Sequence, residues 1–307
     1  MKNWFVYLKA SLAMLFWSFT FIWIKQALIT YRPYEIVFLR LLLATVLLFG
    51  VILIFRKREK MEPKDILYMM MVAFFEPFCY FLGEANGMQF VSPTLGSLII
   101  STIPLITALG AWIFLKEKIT PLLILGLLIS FGGVALISLA EPEFSGTLKG
   151  IMLLLVAVFS GMFYAITVRR IALKYRPLTI VAWQNFFGMI YMLPIFLIFD
   201  LKHFSGCQHS WESMLPVIAM SLFATVAAFL LYTGVIRDIG TVRANIFTNL
   251  IPVFTIFLAW MLLGDKITLK TMGGVLLTVL GLLLSQLPEL KRKLARSPAD
   301  NVPPHGT

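Results

Sequence analysis

The hydrophobic residues of this chain fall into ten long runs, separated by short polar connectors. A membrane-spanning helix needs about twenty largely apolar residues, because a helix rises about 1.5 Å per residue and the hydrocarbon core is about 30 Å thick. The pattern therefore predicts an all-α integral membrane fold with about ten transmembrane helices. The predicted runs are Trp4–Thr30, Pro33–Phe55, Asp65–Gly87, Pro93–Leu115, Pro121–Ala140, Gly150–Lys174, Pro177–Asp200, Met214–Ile236, Thr241–Leu263 and Leu269–Gln286.

Local signals mark where several helices begin. Four runs begin near a proline, whose missing N–H costs little at a helix start; the prolines are Pro33, Pro93, Pro121 and Pro177. Thr120 and Thr268 are suited to cap the fifth and tenth helices. Residues 287–307 contain prolines and a basic stretch, so we expect a disordered cytoplasmic tail there.

Composition supports lipid as the solvent. Hydrophobic residues make up 60% of the 307 residues and charged residues only 13%, with a mean hydropathy of +0.90. Soluble domains carry about 25% charged residues. The net charge of +11 is compatible with nucleic-acid binding, but the basic residues lie in the connectors, where membrane topology places them. The two cysteines offer no metal-binding spacing. We therefore expect no metal or cofactor, and the placement of the basic residues argues against a nucleic-acid partner.

The distribution of basic residues predicts the orientation in the membrane. With the N-terminus inside, eighteen of the 26 Lys and Arg residues fall on the inner side, five on the outer side and three within helices. Positively charged connectors stay in the cytoplasm. We therefore expect a multi-pass plasma-membrane protein with both termini cytoplasmic.

The sequence contains an internal repeat. Residues 31–36 read YRPYEI and residues 175–180 read YRPLTI; AWIFLKEKIT at 111–120 is matched by AWMLLGDKIT at 259–268. This predicts two homologous units, 1–140 and 141–286, of five helices each. Because five is odd, the units enter the membrane in opposite directions. Inverted repeats of this kind support alternating access around a site at their interface, although duplication alone can also produce a stable bundle.

Several segments carry a family resemblance. They are FWSFTFIWIKQAL at 16–28, FLRLLLA at 38–44, and the pattern P-x-x-T-x-x-x-A-W beginning at Pro104 and at Pro252. Each half resembles an EamA domain of the drug/metabolite transporter superfamily, except that Ser18 stands where many relatives have glycine. The resemblance implies ten helices, cytoplasmic termini and gradient-driven export of amino acids, metabolites or drugs.

Ionisable residues at membrane depth are costly, and each needs a physical reason. Glu76 lies near the middle of the third helix and shares one face with Tyr80, Gly83, Glu84 and Gly87. Glu76 suits a proton-coupled step, or alternatively a structural ion pair. Glu84 lies nearer the outer end, where it is either hydrated or part of a substrate cavity.

Lys25 and Arg40 occupy the outer parts of the first two helices. Either cation could attract an anionic group of a substrate. Both could instead reach the membrane interface or pair with Glu84. We count Glu76, Lys25 and Arg40 together as candidates for coupling or charge recognition.

Polar stripes occur on the fourth and ninth helices. Asn245, Thr248 and Asn249 precede Pro252 at helical spacing, as Ser101 precedes Pro104. Each proline removes a backbone hydrogen bond, so Pro104 and Pro252 are predicted hinges. The stripes either line a cavity or make contacts between helices. The predicted cavity residues are Trp17, Tyr80, Glu84, Ser101, Tyr164, Gln184, Asn185, Tyr232, Asn245 and Asn249.

These observations favour a secondary transporter that exports small polar metabolites, such as amino acids, by alternating access. A passive channel and a membrane-embedded enzyme are the alternatives; the sequence has neither H-E-x-x-H nor G-x-x-x-x-G-K-[ST]. The expected partners are the lipid bilayer and a small-molecule substrate. A homodimer is also possible, because glycines on the fifth and tenth helices permit close approach; they are Gly126, Gly133, Gly274 and Gly281.

Overall fold

The structure, a computed structural model, describes residues 2–91, 93–116, 119–140, 146–263 and 268–295. Within these residues, eight helices are long and apolar enough to cross a bilayer, and two shorter apolar stretches, Pro121–Ile137 and Leu269–Ser285, complete the ten. The fold is the predicted all-α membrane bundle. The helices are α1 (Lys2–Ala27), α2 (Pro33–Ile54), α3 (Pro63–Gly87), α4 (Pro93–Ile100 and Ile103–Leu115), α5 (Pro121–Ala140), α6 (Leu148–Ala172), α7 (Pro177–Gly206), α8 (Trp211–Ile239), α9 (Thr241–Ile246, Phe247–Asn249 and Leu250–Leu263) and α10 (Leu269–Ala295).

The predicted helix caps are confirmed. The backbone N–H of Leu123 donates to Thr120 Oγ1 over 3.2 Å, and that of Thr271 donates to Thr268 Oγ1 over 3.2 Å. Helix α10 runs to Ala295, beyond the tail start that we predicted at residue 287. Apart from Pro288, the extension consists of leucine, glutamate, lysine, arginine and alanine, which are all strong helix formers.

The inverted repeat is visible in how the helices pack. The first helix of each half packs against the third and fourth helices of the other half: α1 contacts α8 and α9, while α6 contacts α3 and α4. Helices α2 and α7, which begin with the duplicated motif, pack against each other. The beginning of α2 contacts the end of α7, since Arg32 Nη1 lies 3.4 Å from Asp200 Oδ1. The two equivalent helices therefore run antiparallel.

Helices α4 and α9 are interrupted at matching places. Helix α4 breaks at Ser101 and Thr102, just before Pro104. Helix α9 passes through a 3-10 turn at Phe247–Asn249, just before Pro252. A proline ring clashes with the preceding helical turn and cannot donate to it, which accounts for both interruptions. The breaks lie where the sequence placed hinges, and hinge motion itself stays a prediction.

Helices α3 and α8, the third helix of each half, are also irregular. Each contains a π-helical segment, Phe74–Cys79 in α3 and Met220–Ala227 in α8. In α3 the backbone leaves the helical region at Glu76, with φ −145° and ψ 121°, immediately before Pro77. Irregular backbone at membrane depth is tolerated where protein buries it or where it lines a cavity.

Helices α5 and α10 form a close contact that we call the seam. A Cβ added to Gly133 would lie 2.5 Å from the Thr278 backbone nitrogen, and one added to Gly281 would lie 2.3 Å from that of Ser130. The hydroxyl of Ser130 donates to the Thr278 carbonyl over 3.2 Å. The predicted close approach of the fifth and tenth helices at these glycines is confirmed, and it occurs within one chain. The homodimer stays an untested prediction.

A candidate substrate cavity between the two halves

A cavity lies where the two halves meet, lined by side chains from α1, α2, α3, α4, α6, α8 and α9. Its volume is about 70 Å³. One water needs roughly 10–15 Å³ on this measure, so the cavity has room for a few water molecules. A larger metabolite enters only if the lining helices move apart. The breaks in α3, α4 and α9 lie in three of those helices.

Arg40 is the cationic side chain of the cavity and is only 2% exposed. Its Nε and Nη2 donate to Thr225 Oγ1 over 3.3 and 3.2 Å. Its guanidinium lies over the Phe81 ring, 4.4 Å from the centroid. Thr225 belongs to the π-helical segment of α8, so this contact ties the second helix of one half to the third helix of the other. These contacts hold the guanidinium in a fixed position.

The two carboxylates of the cavity, Glu76 and Glu84, both come from α3. Glu84 Oε1 accepts a hydrogen bond from the Tyr80 hydroxyl over 3.2 Å. Glu76 is 8% exposed and has no hydrogen bond or ion pair with any residue that the structure describes. Both carboxylates interact electrostatically with Arg40, and neither lies within ion-pair distance of it. Glu76 therefore presents an unpartnered carboxylate to the cavity.

Aromatic side chains form one wall of the cavity. The Trp17 ring meets Tyr232 edge-on with centroids 4.9 Å apart, and it meets Phe229 in the same way at 5.2 Å. The indole N–H of Trp17 donates to the Ala224 carbonyl over 3.0 Å. That carbonyl lies in the π-helical segment of α8. The irregular backbone thus fixes the position of the tryptophan ring.

A short polar chain connects α8, α9 and α4 beside this wall. The Tyr232 hydroxyl donates to Asn245 Oδ1, and Asn245 Nδ2 donates to Thr107 Oγ1 over 2.8 Å. Thr248 lines the cavity one turn further along α9. The polar atoms of Asn245 are thus held by neighbours while its side chain still borders the cavity.

Many of the residues singled out from sequence come together here. The cavity is lined by Trp17, Tyr80, Glu84, Tyr164, Tyr232 and Asn245 from the predicted substrate set, and by Glu76 and Arg40 from the predicted charge set. This co-location is consistent with the predicted roles and does not test them.

Four predicted cavity residues lie elsewhere. Ser101 is buried at the break in α4, outside the cavity lining. Gln184 Oε1 accepts from the Tyr164 hydroxyl over 3.4 Å, Asn185 Nδ2 donates to the Val181 carbonyl over 2.8 Å, and Asn249 Nδ2 donates to Ser130 Oγ over 3.0 Å. Each of these three amides uses a polar atom in a contact between or within helices, while Asn185 Oδ1 and Asn249 Oδ1 have no hydrogen-bond partner in the described chain. The side chain of Lys25 is outside the described residues.

Sequence reasoning missed several lining residues. Thr20, Phe81 and Phe229 line the cavity, and Thr225 accepts hydrogen bonds from Arg40. The chain contains 27 phenylalanines, so no single one stands out in an apolar helix. The spacing of Phe229 three residues before Tyr232 was the available signal, since residues at that spacing share a helix face.

Contacts between ionisable side chains join the two halves at opposite ends of the bundle. At one end, Lys174 Nζ lies 2.6 Å from Glu62 Oε1 and 2.5 Å from Asp65 Oδ2. Hydrogen bonding to Asp65 and Glu62 raises the pKa of Lys174, and hydrogen bonding from Lys174 and Lys64 lowers the pKa of Glu62. At the opposite end, His203 Nδ1 lies 2.6 Å from Glu35 Oε1. We call these contacts the two end ties.

The duplicated motif supplies residues to both end ties. Tyr31 from the first copy hydrogen-bonds His209 Nδ1 at 3.1 Å, and Tyr175 from the second copy donates to Asp65 Oδ2 over 2.7 Å. Tyr31 thus reaches the connector between α7 and α8, and Tyr175 reaches the first turn of α3. The repeat places a similar tie at each face of the bundle.

Comparison with known proteins identifies the architecture. The model of the EamA-like transporter family matches residues 4–139 and again residues 148–287. The chain belongs to the EamA-like transporter family. An uncharacterized transporter of Archaeoglobus fulgidus is 29% identical over 282 residues, which cover 92% of this chain and 98% of that protein. The uncharacterized transporter YdfC of Bacillus subtilis is 27% identical and covers 92% of this chain and 91% of its own.

A solved crystal structure has the same fold. It superposes with a TM-score of 0.78 at 15% sequence identity and covers 95% of this chain and 99% of that one. This likeness concerns the fold alone. The family match and the apolar helices make the protein a multi-pass membrane transporter of the EamA-like family. The relatives that carry names are named transporters, which points away from enzymatic activity.

Proposed function

We propose that this protein is a secondary carrier that exports small polar metabolites, amino acids or related compounds, by alternating access. One observation carries the proposal: both inverted halves line the cavity that contains Glu76 and Arg40, and broken helices border it. In inverted-repeat transporters the substrate binds at the repeat interface, near discontinuous helices. The cavity is therefore the proposed substrate site.

The transport step follows from the symmetry of the bundle. An end tie holds the halves together at each face, so opening one face requires its tie to separate while the other stays closed. The breaks in α4 and α9 are equivalent in the two halves, which lets either half move in the same way. Rocking of the halves around the cavity would expose it to each face in turn.

Glu76 is the proposed coupling residue. It faces the cavity, lacks a partner among the described residues, and lies where α3 departs from helical geometry. An unpaired carboxylate at membrane depth is costly and is typical of proton relays and ion pathways. We propose that proton binding to Glu76 couples a proton gradient to transport.

Orientation and direction belong to the same proposal. The excess of Lys and Arg in alternate connectors supports cytoplasmic termini, and export is the direction that the family resemblance implies. Reporter fusions at the N-terminus and at the C-terminus should both report the cytoplasm. A reporter that places the two termini on opposite faces would contradict the ten-helix inverted arrangement.

Counterflow in proteoliposomes tests the carrier proposal. A strain overexpressing the protein is first screened for an amino acid or related metabolite that it exports. Purified protein is then reconstituted, the liposomes are loaded with unlabelled compound, and labelled compound is added outside. A carrier produces saturable transient accumulation of label. A passive channel gives equilibration without accumulation, and an enzyme returns the compound chemically altered; either result would contradict the proposal.

A further inference from the structure

We infer that the transported compound carries a cationic ammonium group, which binds at the Glu76 carboxylate beside the aromatic wall of Trp17, Phe229 and Tyr232. The inference rests on the proposed function, because it names the substrate class of the same cavity. It commits to a compound with positive charge on nitrogen and argues against an anion as the recognised group.

The charged side chains that line the cavity favour a cationic ligand. Its lining contains two carboxylates, Glu76 and Glu84, and one guanidinium, that of Arg40. When both carboxylates are ionised, the lining therefore carries one net negative charge. Uncompensated charge is expensive away from water. A ligand with a single positive charge removes the imbalance, whereas an anion increases it and a zwitterion leaves it unchanged.

The charged groups of the cavity differ in how many hydrogen bonds they already make within the protein. Arg40 already donates twice to Thr225 and lies against the Phe81 ring. Glu84 already accepts from Tyr80. Glu76 makes no hydrogen bond or ion pair within the described part of the chain. Glu76 is thus the charged group of the cavity without any hydrogen bond among the described residues, and an ammonium group would supply it with three donors.

The aromatic wall also favours a cationic ligand. Cations are attracted to the faces of tryptophan, tyrosine and phenylalanine rings within about 6 Å of the centroid. The guanidinium of Arg40 occupies the face of Phe81, and no described cation lies over Trp17, Phe229 or Tyr232. These rings are held by the indole hydrogen bond to Ala224 and by edge contacts with one another. The wall therefore offers fixed ring surfaces beside Glu76.

The same geometry makes a proton the natural competitor of the ammonium group. A proton on Glu76 also cancels the negative charge of the lining. The ionisable groups that line the cavity around Glu76 are Arg40 from α2, Tyr80 and Glu84 from α3, Tyr164 from α6 and Tyr232 from α8. Binding of an amine that stays charged between about pH 5 and pH 8 should therefore weaken as the pH falls.

Four probes of nearly constant shape test the inference. They share a phenyl ring on a short chain and differ in charge: phenethylamine is a cation, phenylalanine a zwitterion, phenethyl alcohol neutral and hydrocinnamate an anion. Binding to the purified full chain in nanodiscs is measured by intrinsic tryptophan fluorescence and by thermal stabilisation. Because a hydrogen bond to a charged group is worth about 1.5–3 kcal/mol, phenethylamine should bind at least about tenfold tighter than phenethyl alcohol. Hydrocinnamate should bind weakest.

Substitutions at Glu76 locate the preference. In Glu76→Gln the preference for phenethylamine over phenethyl alcohol should disappear, together with the pH dependence of phenethylamine binding. Glu76→Asp should keep the preference with lower affinity, so it provides a test if the glutamine variant does not fold. Glu212→Gln removes an exposed carboxylate at the start of α8, away from the cavity, and should behave like the wild type.

The outcomes separate this inference from the carrier proposal. If hydrocinnamate binds tightest, or if Glu76→Gln keeps the full preference for the cation, the ammonium assignment is wrong. Counterflow of the same probes then tests the carrier proposal. Counterflow of hydrocinnamate alone would overturn the substrate class and leave the carrier intact. Specific binding of phenethylamine without counterflow of any probe would overturn the carrier and leave the binding site intact.

Discussion

The seam between α5 and α10 and the cavity between the halves both contain polar groups inside an apolar bundle, but they treat them differently. In the seam, Asn249 donates to Ser130, Ser130 donates to the Thr278 carbonyl, and backbones approach at glycines. In the cavity, Glu76 has no partner among the described residues, and open space remains beside it. The seam uses its hydroxyl and amide groups mainly to connect helices, although Asn249 Oδ1 has no hydrogen-bond partner in the described chain, whereas the cavity holds an ionisable carboxylate without a hydrogen bond among the described residues.

The difference teaches which membrane polar residues to assign to stability and which to function. An ionisable group without a partner is costly at membrane depth and therefore marks a candidate site for a ligand or a proton. The seam should therefore respond to substitution with changes in stability. The cavity should respond with changes in coupling and affinity.

The largest expected effect comes from filling the seam. In Gly133→Leu the new side chain would begin 2.5 Å from the Thr278 backbone nitrogen, and neither backbone can yield without separating the helices. We expect loss of folded, monodisperse protein in detergent size-exclusion chromatography. Gly132→Leu is the matched control, because a Cβ there meets nothing within 4 Å. If the two variants behaved alike, the close approach of α5 and α10 at Gly133 would not be needed for folding.

Next in size is the loss of coupling at Glu76. Glu76→Gln removes the titratable group and keeps the shape of the side chain, so the fold should be retained. Accumulation driven by a proton gradient should be abolished in proteoliposomes, while counterflow continues at higher concentrations of the exported compound, because binding without the carboxylate is weaker. A variant whose transport keeps the wild-type dependence on pH would show that Glu76 does not couple.

A smaller effect should separate two asparagines on the same helix. Asn245 borders the cavity, and Asn249 lies in the seam. Asn245→Leu should therefore raise the apparent KM for the exported compound several-fold, and it should also lower the thermal stability, because it removes the hydrogen bonds to Tyr232 and Thr107. Asn249→Leu should lower the thermal stability and leave KM unchanged. The reverse pattern, measured in the same proteoliposome and thermal-shift assays, would break the comparison between the regions.

The smallest effect is expected outside the membrane, at the end tie of Lys174. Its side chain is 40% exposed, and exposed ion pairs contribute little. The lowered pKa of Glu62 means that its share of the tie is present above the ordinary pKa of glutamate and is lost as the pH falls through the lowered pKa. Lys174→Met should slightly lower the thermal stability at neutral pH, and the deficit should shrink in acid. A deficit that grows in acid would contradict this sign.

Much of the fold could be predicted from the sequence, because the apolar runs, the prolines and the duplicated segments each act locally. Pro104 and Pro252 indicated the breaks in α4 and α9, and Thr120 indicated a cap. The odd number of helices in each repeat required the inversion. These features depend on backbone geometry and on the thickness of the bilayer. They can therefore be predicted without knowing which residues, distant in sequence, come into contact.

The division of roles within the polar stripes could not be predicted. Asn245 and Asn249 are one helical turn apart, and periodicity places them on the same side of α9. The structure shows that this side meets different neighbours, the cavity at one residue and α5 at the other. In the same way, nothing in the sequence connects Arg40 with Thr225, which lies 185 residues away. Such pairs arise only when the halves pack.

The central claim is that one cavity serves both faces of the membrane, and cysteine accessibility tests it most directly. Thr20 lines the cavity, and its hydroxyl has no hydrogen-bond partner in the described chain, which makes Thr20→Cys a mild change in a Cys79→Ser, Cys207→Ser background. An impermeant maleimide should label this cysteine from the inner face and from the outer face in vesicles of opposite orientation, and the exported compound should slow both reactions. Labelling from a single face only would contradict alternating access.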